Sequence, residues 1–253
     1  MVWHRETNVK NYRLTLCYDG TKYSGWQRLG NTENTIQQKV ETMLSRLLGQ
    51  KVEVAASGRT DAGVHAARQI CSFRAETELP CEELLQEIRR YLPQDIGALE
   101  LTEAEPRFHA RLNCTGKTYL YRIWTSDRPN VFERNYLFTY TKPLDAEKMK
   151  TAAALLCGEH DFAAFTNAKH VKKSTVRRID AIEFEQTERE LKLYFTGNGF
   201  LYNMVRILTG TLLEIGAGER EADEIPEILA SCQREKAGFL APAKGLILLD
   251  VQY

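Results

Sequence analysis

Apolar and polar positions alternate along residues 12–18, where Tyr12, Leu14, Leu16 and Tyr18 are interleaved with Arg13, Thr15 and Cys17. Period two marks a strand with one buried face. The period then lengthens. Thr35 stands ahead of Ile36, Val40, Met43, Leu44, Leu47 and Leu48, which fall on one side of a helix, and Gly49 supplies the stop. Residues 51–55 and 69–73 read as two strands, 82–91 as a helix ended by Pro93, and 98–101 as a strand, giving the order β-α-β-β-α-β. The second half repeats it. Residues 118–124 form a strand, 145–156 an amphipathic helix, and 176–184 with 191–195 two strands. An apolar helix from Phe200, a short helix over 224–230 and a last strand over 246–251 follow. This tandem order predicts an α+β protein of two ferredoxin-like halves with antiparallel sheets, divided into 1–106 and 107–253. The halves are expected to pack together around a central cleft.

Composition changes this picture little. The 253 residues are 43% hydrophobic and 27% charged with a formal net charge of zero, so any polyanion must be met by a local patch rather than by the whole surface. Two such patches exist. Lys169, Lys172, Lys173, Arg177 and Arg178 form a run without acids, and Arg107, Arg111, Lys117, Arg122 and Arg128 face only Asp127. Each run alone reads as a solvated face; together in one half they suggest a polyanion-binding surface. The six cysteines lack C-x-x-C pairing, which suits free thiols in a reducing compartment and argues against a disulfide framework or a cysteine zinc site. The N-terminus has no apolar signal region. The longest apolar stretch, 200–215, is interrupted by Asn203, Arg206 and Glu214 and is too short for a bilayer. The expectation is a cytoplasmic protein.

Several familiar chemistries fail on spacing. Gly116-Lys117-Thr118 lacks the earlier glycine of a phosphate loop, Gly197-Asn198-Gly199 lacks the third glycine of a dinucleotide turn, and the five histidines show no ligand spacing. No second acid stands where a paired-carboxylate mechanism would need it. What remains is residues 57–66, SGRTDAGVHA, which place Asp61 and Arg59 among residues too small to build a core. Two readings of Asp61 stand: a turn carboxylate that binds its own backbone, or a reactive carboxylate on a loop able to approach a large substrate. Arg206 lies in a helix apolar on most of its circumference, and a half-buried guanidinium needs a carboxylate. Asp61 is one candidate, a local surface acid the other. Tyr121 reads as core. Tyr119, on the same strand face, offers a ring for a stacked base and a hydroxyl for proton transfer.

SGRTDAGVHA resembles the signature of the TruA family of tRNA pseudouridine synthases. YDGTKYSGWQ (18–27), RFHAR (107–111) with KTYLYRI (117–123), GEHDFAAF (158–165), GNGFLYNMVR (197–206) and APAKGLILLDVQY (241–253) resemble the family's other segments, in the family's order. The resemblance implies the pseudouridine synthase fold and a homodimer acting on uridines 38, 39 and 40 of the tRNA anticodon arm. It implies neither cofactor nor metal, because the reaction has no redox or hydrolytic step. It places the catalytic aspartate at Asp61, the active-site tyrosine at Tyr119, the basic partner at Arg206, the residue that displaces the target nucleotide at Arg59, and an apolar wall at Leu246. The basic run 169–178 is the expected phosphate contact. A non-catalytic RNA-binding or RNA-chaperone protein is the rival reading. Ser57, where the family often has Ala, and residues 113–116 are departures.

Overall fold

The alternation at the start of the chain becomes strand β1 (Val9–Tyr18), with Tyr12, Leu14 and Leu16 at most 1% exposed. The computed structural model describes residues 9–168 and 174–253 and divides into two compact units. One runs to Cys114 and takes in Tyr253; the other is Thr115–Gln252.

In the first unit β1 is followed by α1 (Ile36–Leu48), β2 (Val54–Ala56), β3 (His65–Glu76), α2 (Cys81–Tyr91) and β4 (Ile96–Ala104). Thr35 caps α1 by accepting the Gln38 N–H at 3.3 Å, and Gly49 closes it in the left-handed conformation, φ +62°. The strands run antiparallel in the order β4-β1-β3-β2. Register sets Leu14 beside Cys71 and Leu101, and Tyr12 beside Phe73, whose rings stack at 5.1 Å. Val40 and Leu44 of α1 and Leu84 and Ile88 of α2 are fully buried, so both helices turn their apolar stripes inward. The unit continues past residue 106, because Asn11 Nδ2 donates to the carbonyls of Glu105 (2.8 Å) and Phe108 (2.9 Å), and Ala110 N donates to Ser72 Oγ (3.1 Å). The break falls at 114/115.

The second unit contains β5 (Gly116–Trp124), β6 (Phe138–Thr139), α3 (Ala146–Leu156), β7 (Gly158–Asp161), β8 (Val176–Gln186), β9 (Glu190–Gly197), α4 (Met204–Gly216), α5 (Ile225–Ser231) and β10 (Leu246–Gln252). Its antiparallel order is β10-β5-β9-β8-β7, with β6 parallel beside the end of β5. Setting aside β6, β7 and α5, the elements repeat β-α-β-β-α-β and the strands repeat the first unit's order. The fold is the α+β tandem that the periodicity predicts. Several boundaries shift by a few residues, and one shift has a local cause in the backbone. The apolar helix begins at Met204, not Phe200, because Asn203 takes a positive φ of +63° and breaks the helical run ahead of it.

Candidate active site

Between β2 and β3 the chain passes through residues 57–64, with Ser57, Thr60 and Val64 buried, Asp61 half-buried and Arg59 exposed. Side chains beneath the loop hold it. Ser57 Oγ donates to Gln69 Oε1 (2.6 Å), while Gln69 Nε2 donates to Gly58 O (2.9 Å) and to the Tyr18 hydroxyl (3.4 Å). That hydroxyl lies 2.8 Å from Thr60 Oγ1, and Trp26 N donates to Thr60 O at 3.0 Å. Val64 N closes a turn onto Asp61 O at 3.1 Å, and Gly63 at its third position has φ +78°, as a type II turn requires. Thr60 thus points inward while its neighbours Arg59 and Asp61 are left toward the surface.

Two glycines stand against this loop. A methyl group on Gly20 would lie 1.9 Å from Val64 O, and one on Gly25, itself at φ +91°, would lie 2.8 Å from Thr60 O. The stretches YDGTKYSGWQ and SGRTDAGVHA are therefore one piece of structure: the first backs the second closely enough to exclude side chains. His65 is 4% exposed and accepts the Gly20 N–H at Nδ1 (3.1 Å), which ties the end of β1 to the start of β3. Sequence reasoning missed Gln69. Its signal was present, since Gln69 shares the buried face of β3 with Cys71, Phe73 and Ala75, a polar residue at an apolar period position.

In the second unit Tyr119 is 7% exposed, and its ring meets Phe200 edge-on at 5.3 Å. Tyr121 is fully buried and donates to Pro242 O at 2.7 Å; burial pushes its hydroxyl pKa well above the usual range, with the charge of Arg206 opposing. Arg206, half-buried in the first turn of α4, donates from Nε to Ala241 O (2.7 Å) and from Nη1 to Asn203 Oδ1 (3.2 Å). Ala241 N returns a bond to Arg206 O (3.2 Å). Leu246 is 5% exposed and pairs across from Tyr121, while Gly245 lies so close that an added methyl would be 2.7 Å from the Tyr121 ring. Tyr119, Arg206 and Leu246 thus share one frame built from β5 and residues 200–206 and 241–246. Asp61 and Arg59 belong to the loop of the first unit.

The basic run is only partly described: Lys169, Lys172 and Lys173 lie outside the described residues. Arg177 donates to the carbonyls of Ser174 (2.9 Å) and Val176 (2.6 Å), and burial lowers its pKa. Arg178 pairs with Asp180 at 2.7 Å, an exposed contact worth under about 1 kcal/mol. Among the described residues no cluster of histidine, cysteine, aspartate and glutamate is placed to hold a metal, and no helix is long and apolar enough to cross a membrane. A cavity of about 610 Å³ beside α1, lined by Lys39, Met43, Arg46 and Tyr91 among others, includes none of the site residues.

Comparison with known proteins gives this geometry its chemistry. The family model described as tRNA pseudouridine synthase matches residues 16–113 and 152–253. The chain is 44% identical over 245 residues to tRNA pseudouridine synthase A 2 of Bacillus cereus (strain ZK / E33L), covering 97% of this chain and 100% of that protein. It is 46% identical over 245 residues to tRNA pseudouridine synthase A of Bacillus sp. (strain KSM-64), with the same coverage. Over 245 residues it is 40% identical to the enzyme of that name from Acetivibrio thermocellus, again at 97% and 100%. The span matched by the family model takes in the Asp61 loop, Arg206 and Leu246, and by these matches the chain belongs to the tRNA pseudouridine synthases, isomerases that convert uridine to pseudouridine.

Proposed function

We propose that Asp61 is the reacting carboxylate and that the substrate uridines are positions 38, 39 and 40 of the tRNA anticodon arm. The isomerisation breaks the bond between uracil N1 and the ribose, turns the freed base and rejoins it through C5. A side chain can reach the sugar only after the nucleotide has left its stack. The observation that carries the reading is the braced loop 57–64, where Thr60 is buried beneath while Arg59 is exposed and Asp61 half-buried. A loop of small residues with a fixed backbone brings a carboxylate to a ribose without clash, and Arg59 fills the space the extruded base leaves. Arg206 serves as the charge partner that keeps Asp61 ionised, which a nucleophile or a base for the sugar requires. Tyr119 stacks on the detached uracil and assists loss of the C5 proton, and Leu246 helps keep water away while the base is free. Arg177 and Arg178, with the lysines before them, contact tRNA phosphates. The enzyme works as a homodimer in the cytoplasm and needs no cofactor.

Tritium release from tRNA carrying [5-³H]uracil tests the assignment, comparing wild type with Asp61→Ala and Asp61→Asn. Wild type releases tritium and both variants are expected to bind tRNA yet release none. Release by Asp61→Asn at the wild-type rate would remove Asp61 from the chemistry. Equal tRNA binding by all three with no release would leave an RNA-binding protein.

A further inference from the structure

Phe132 is 95% exposed, more than any other large hydrophobic side chain among the described residues, and Val131 beside it is 56% exposed. A lone exposed aromatic on a loose loop carries no meaning, but this loop is tightly built. Asn130 Oδ1 accepts the Glu133 N–H at 3.2 Å, and its Nδ2 donates to the Glu133 carboxylate at 3.1 Å. Glu133 is also paired with Arg122 of β5 at 2.9 Å. Trp124 Nε1 donates to Arg128 O (2.6 Å), Arg134 Nη1 to Val131 O (2.6 Å) and Lys244 Nζ to Arg134 O (3.1 Å). These bonds fix both flanks of the turn and leave its apolar tip in solvent. The ordering entropy of a recognition loop has already been met in the free protein.

Charge decides the kind of partner. Arg128, Arg134, Arg189 and Lys244 are all exposed at this end of the sheet, where Arg189 O accepts the Thr125 N–H at 2.8 Å. Of the acids here, Glu133 and Glu190 are both engaged by Arg122, which leaves the exposed Asp127 and Glu188 against those four cations. An exposed ring on a turn that itself carries Arg128 and Arg134, with Lys244 bonded to its backbone, fits a base stacked on the ring with phosphates beside it. An interface between copies of one chain would place these like charges against one another unless acids met them.

We propose that the turn at residues 126–136 is a second RNA contact, in which Phe132 stacks on an unpaired base of the tRNA while Arg128 and Arg134 hold the adjoining phosphates. The contact rests on tRNA being the substrate and lies apart from the residues assigned to the reaction. Lys244 joins the turn to the segment that enters β10 at Leu246, so RNA held here is held against the same frame as Tyr119 and Arg206.

Steady-state kinetics on full-length tRNA, sedimentation of the free protein, and fluorescence titration of Phe132→Trp test it. Phe132→Ala is expected to lower kcat/KM about tenfold, a modest value for one lost base–aromatic stack, with the loss carried by KM. Phe132→Trp is expected to retain activity, and its added indole to be quenched by tRNA beyond the wild-type response. Replacing Arg128 and Arg134 with Ala should reduce the salt dependence of tRNA binding. An unchanged KM for Phe132→Ala, with no quenching of the indole introduced by Phe132→Trp, overturns the proposal. The same result with a dimer that Phe132→Ala dissociates would assign the turn to contact with a second copy. A wild-type enzyme that forms no pseudouridine would instead count against the function itself.

Discussion

One buried amide, Gln69, ties the start of the loop carrying Asp61 to the strand beneath it. Its oxygen takes the Ser57 hydroxyl, and its nitrogen serves Gly58 O and the Tyr18 hydroxyl. Leucine fits the volume but answers none of these groups, and buried polar groups left without partners cost about 1–3 kcal/mol. Gln69→Leu is therefore expected to destabilise the protein by roughly 2 kcal/mol. The same variant should lower kcat more than it raises KM, because the loop loses its bracing rather than its charge. Thermal unfolding and tRNA kinetics on one preparation would show both; a change in stability with kcat intact would reduce Gln69 to a core residue. Gly20 and Gly25 act by the opposite means, through absence of a side chain where the loop's backbone passes.

At the scale of elements, most of the architecture was legible and the site was legible in part. Strands β1, β5 and β9 and helices α1 and α3 follow their periodicity because each has one buried face. Thr35 caps α1 as its position ahead of Ile36 predicts, whereas Asp145, read as the first helical residue, is the cap of α3 and accepts from Glu147 N and Lys148 N. The start of α4 was not legible, since no pattern of apolar residues reports the backbone angle of Asn203. Strand β6 is two residues long and carries no period of its own. The Asp61 loop could be found by its small residues, but its support could not, because Tyr18, Gln69 and Thr60 meet only after β1 and β3 pair. The turn after β5 supplies a pH prediction. The Arg122 guanidinium, and then the Asn130 amide, hold the Glu133 carboxyl below its ordinary pKa. A depressed carboxylate pKa stabilises the folded form above the unfolded-state pKa, and that contribution is lost as pH falls through the lowered folded value. Acidification through that range should loosen the turn, read as a change in Trp124 emission. Glu133→Gln should show the loosened signal already at neutral pH and no further acid transition there.

For the whole molecule, the neutral total charge is compatible with an RNA substrate only because cations are gathered locally. The two units repeat one strand order, yet the chain does not simply finish one and begin the other. Tyr253 belongs to the first unit: its hydroxyl donates to Ala110 O at 2.7 Å, and its ring meets Phe108 at 5.1 Å. Arg13 lays its guanidinium over that ring at 4.9 Å. Losing a hydrogen bond, an aromatic pair and a cation–π contact together makes Tyr253→Ala cost about 2 kcal/mol. Hydrogen exchange should locate the loss at residues 107–112, although 143 positions separate Tyr253 from Ala110 in the sequence. Unchanged protection there would mean that the segment stands without Tyr253.

That attachment also bears on how the protein is made. Residues 1–114 leave the ribosome first, but the ring that covers Arg13 and Phe108 is still unsynthesised. At about 5–20 residues per second, roughly seven to twenty-eight seconds pass before it is made. For that interval the nascent first unit carries Arg13 and Phe108 without the ring that later lies over them, so its packing is completed only after the whole second unit has been made.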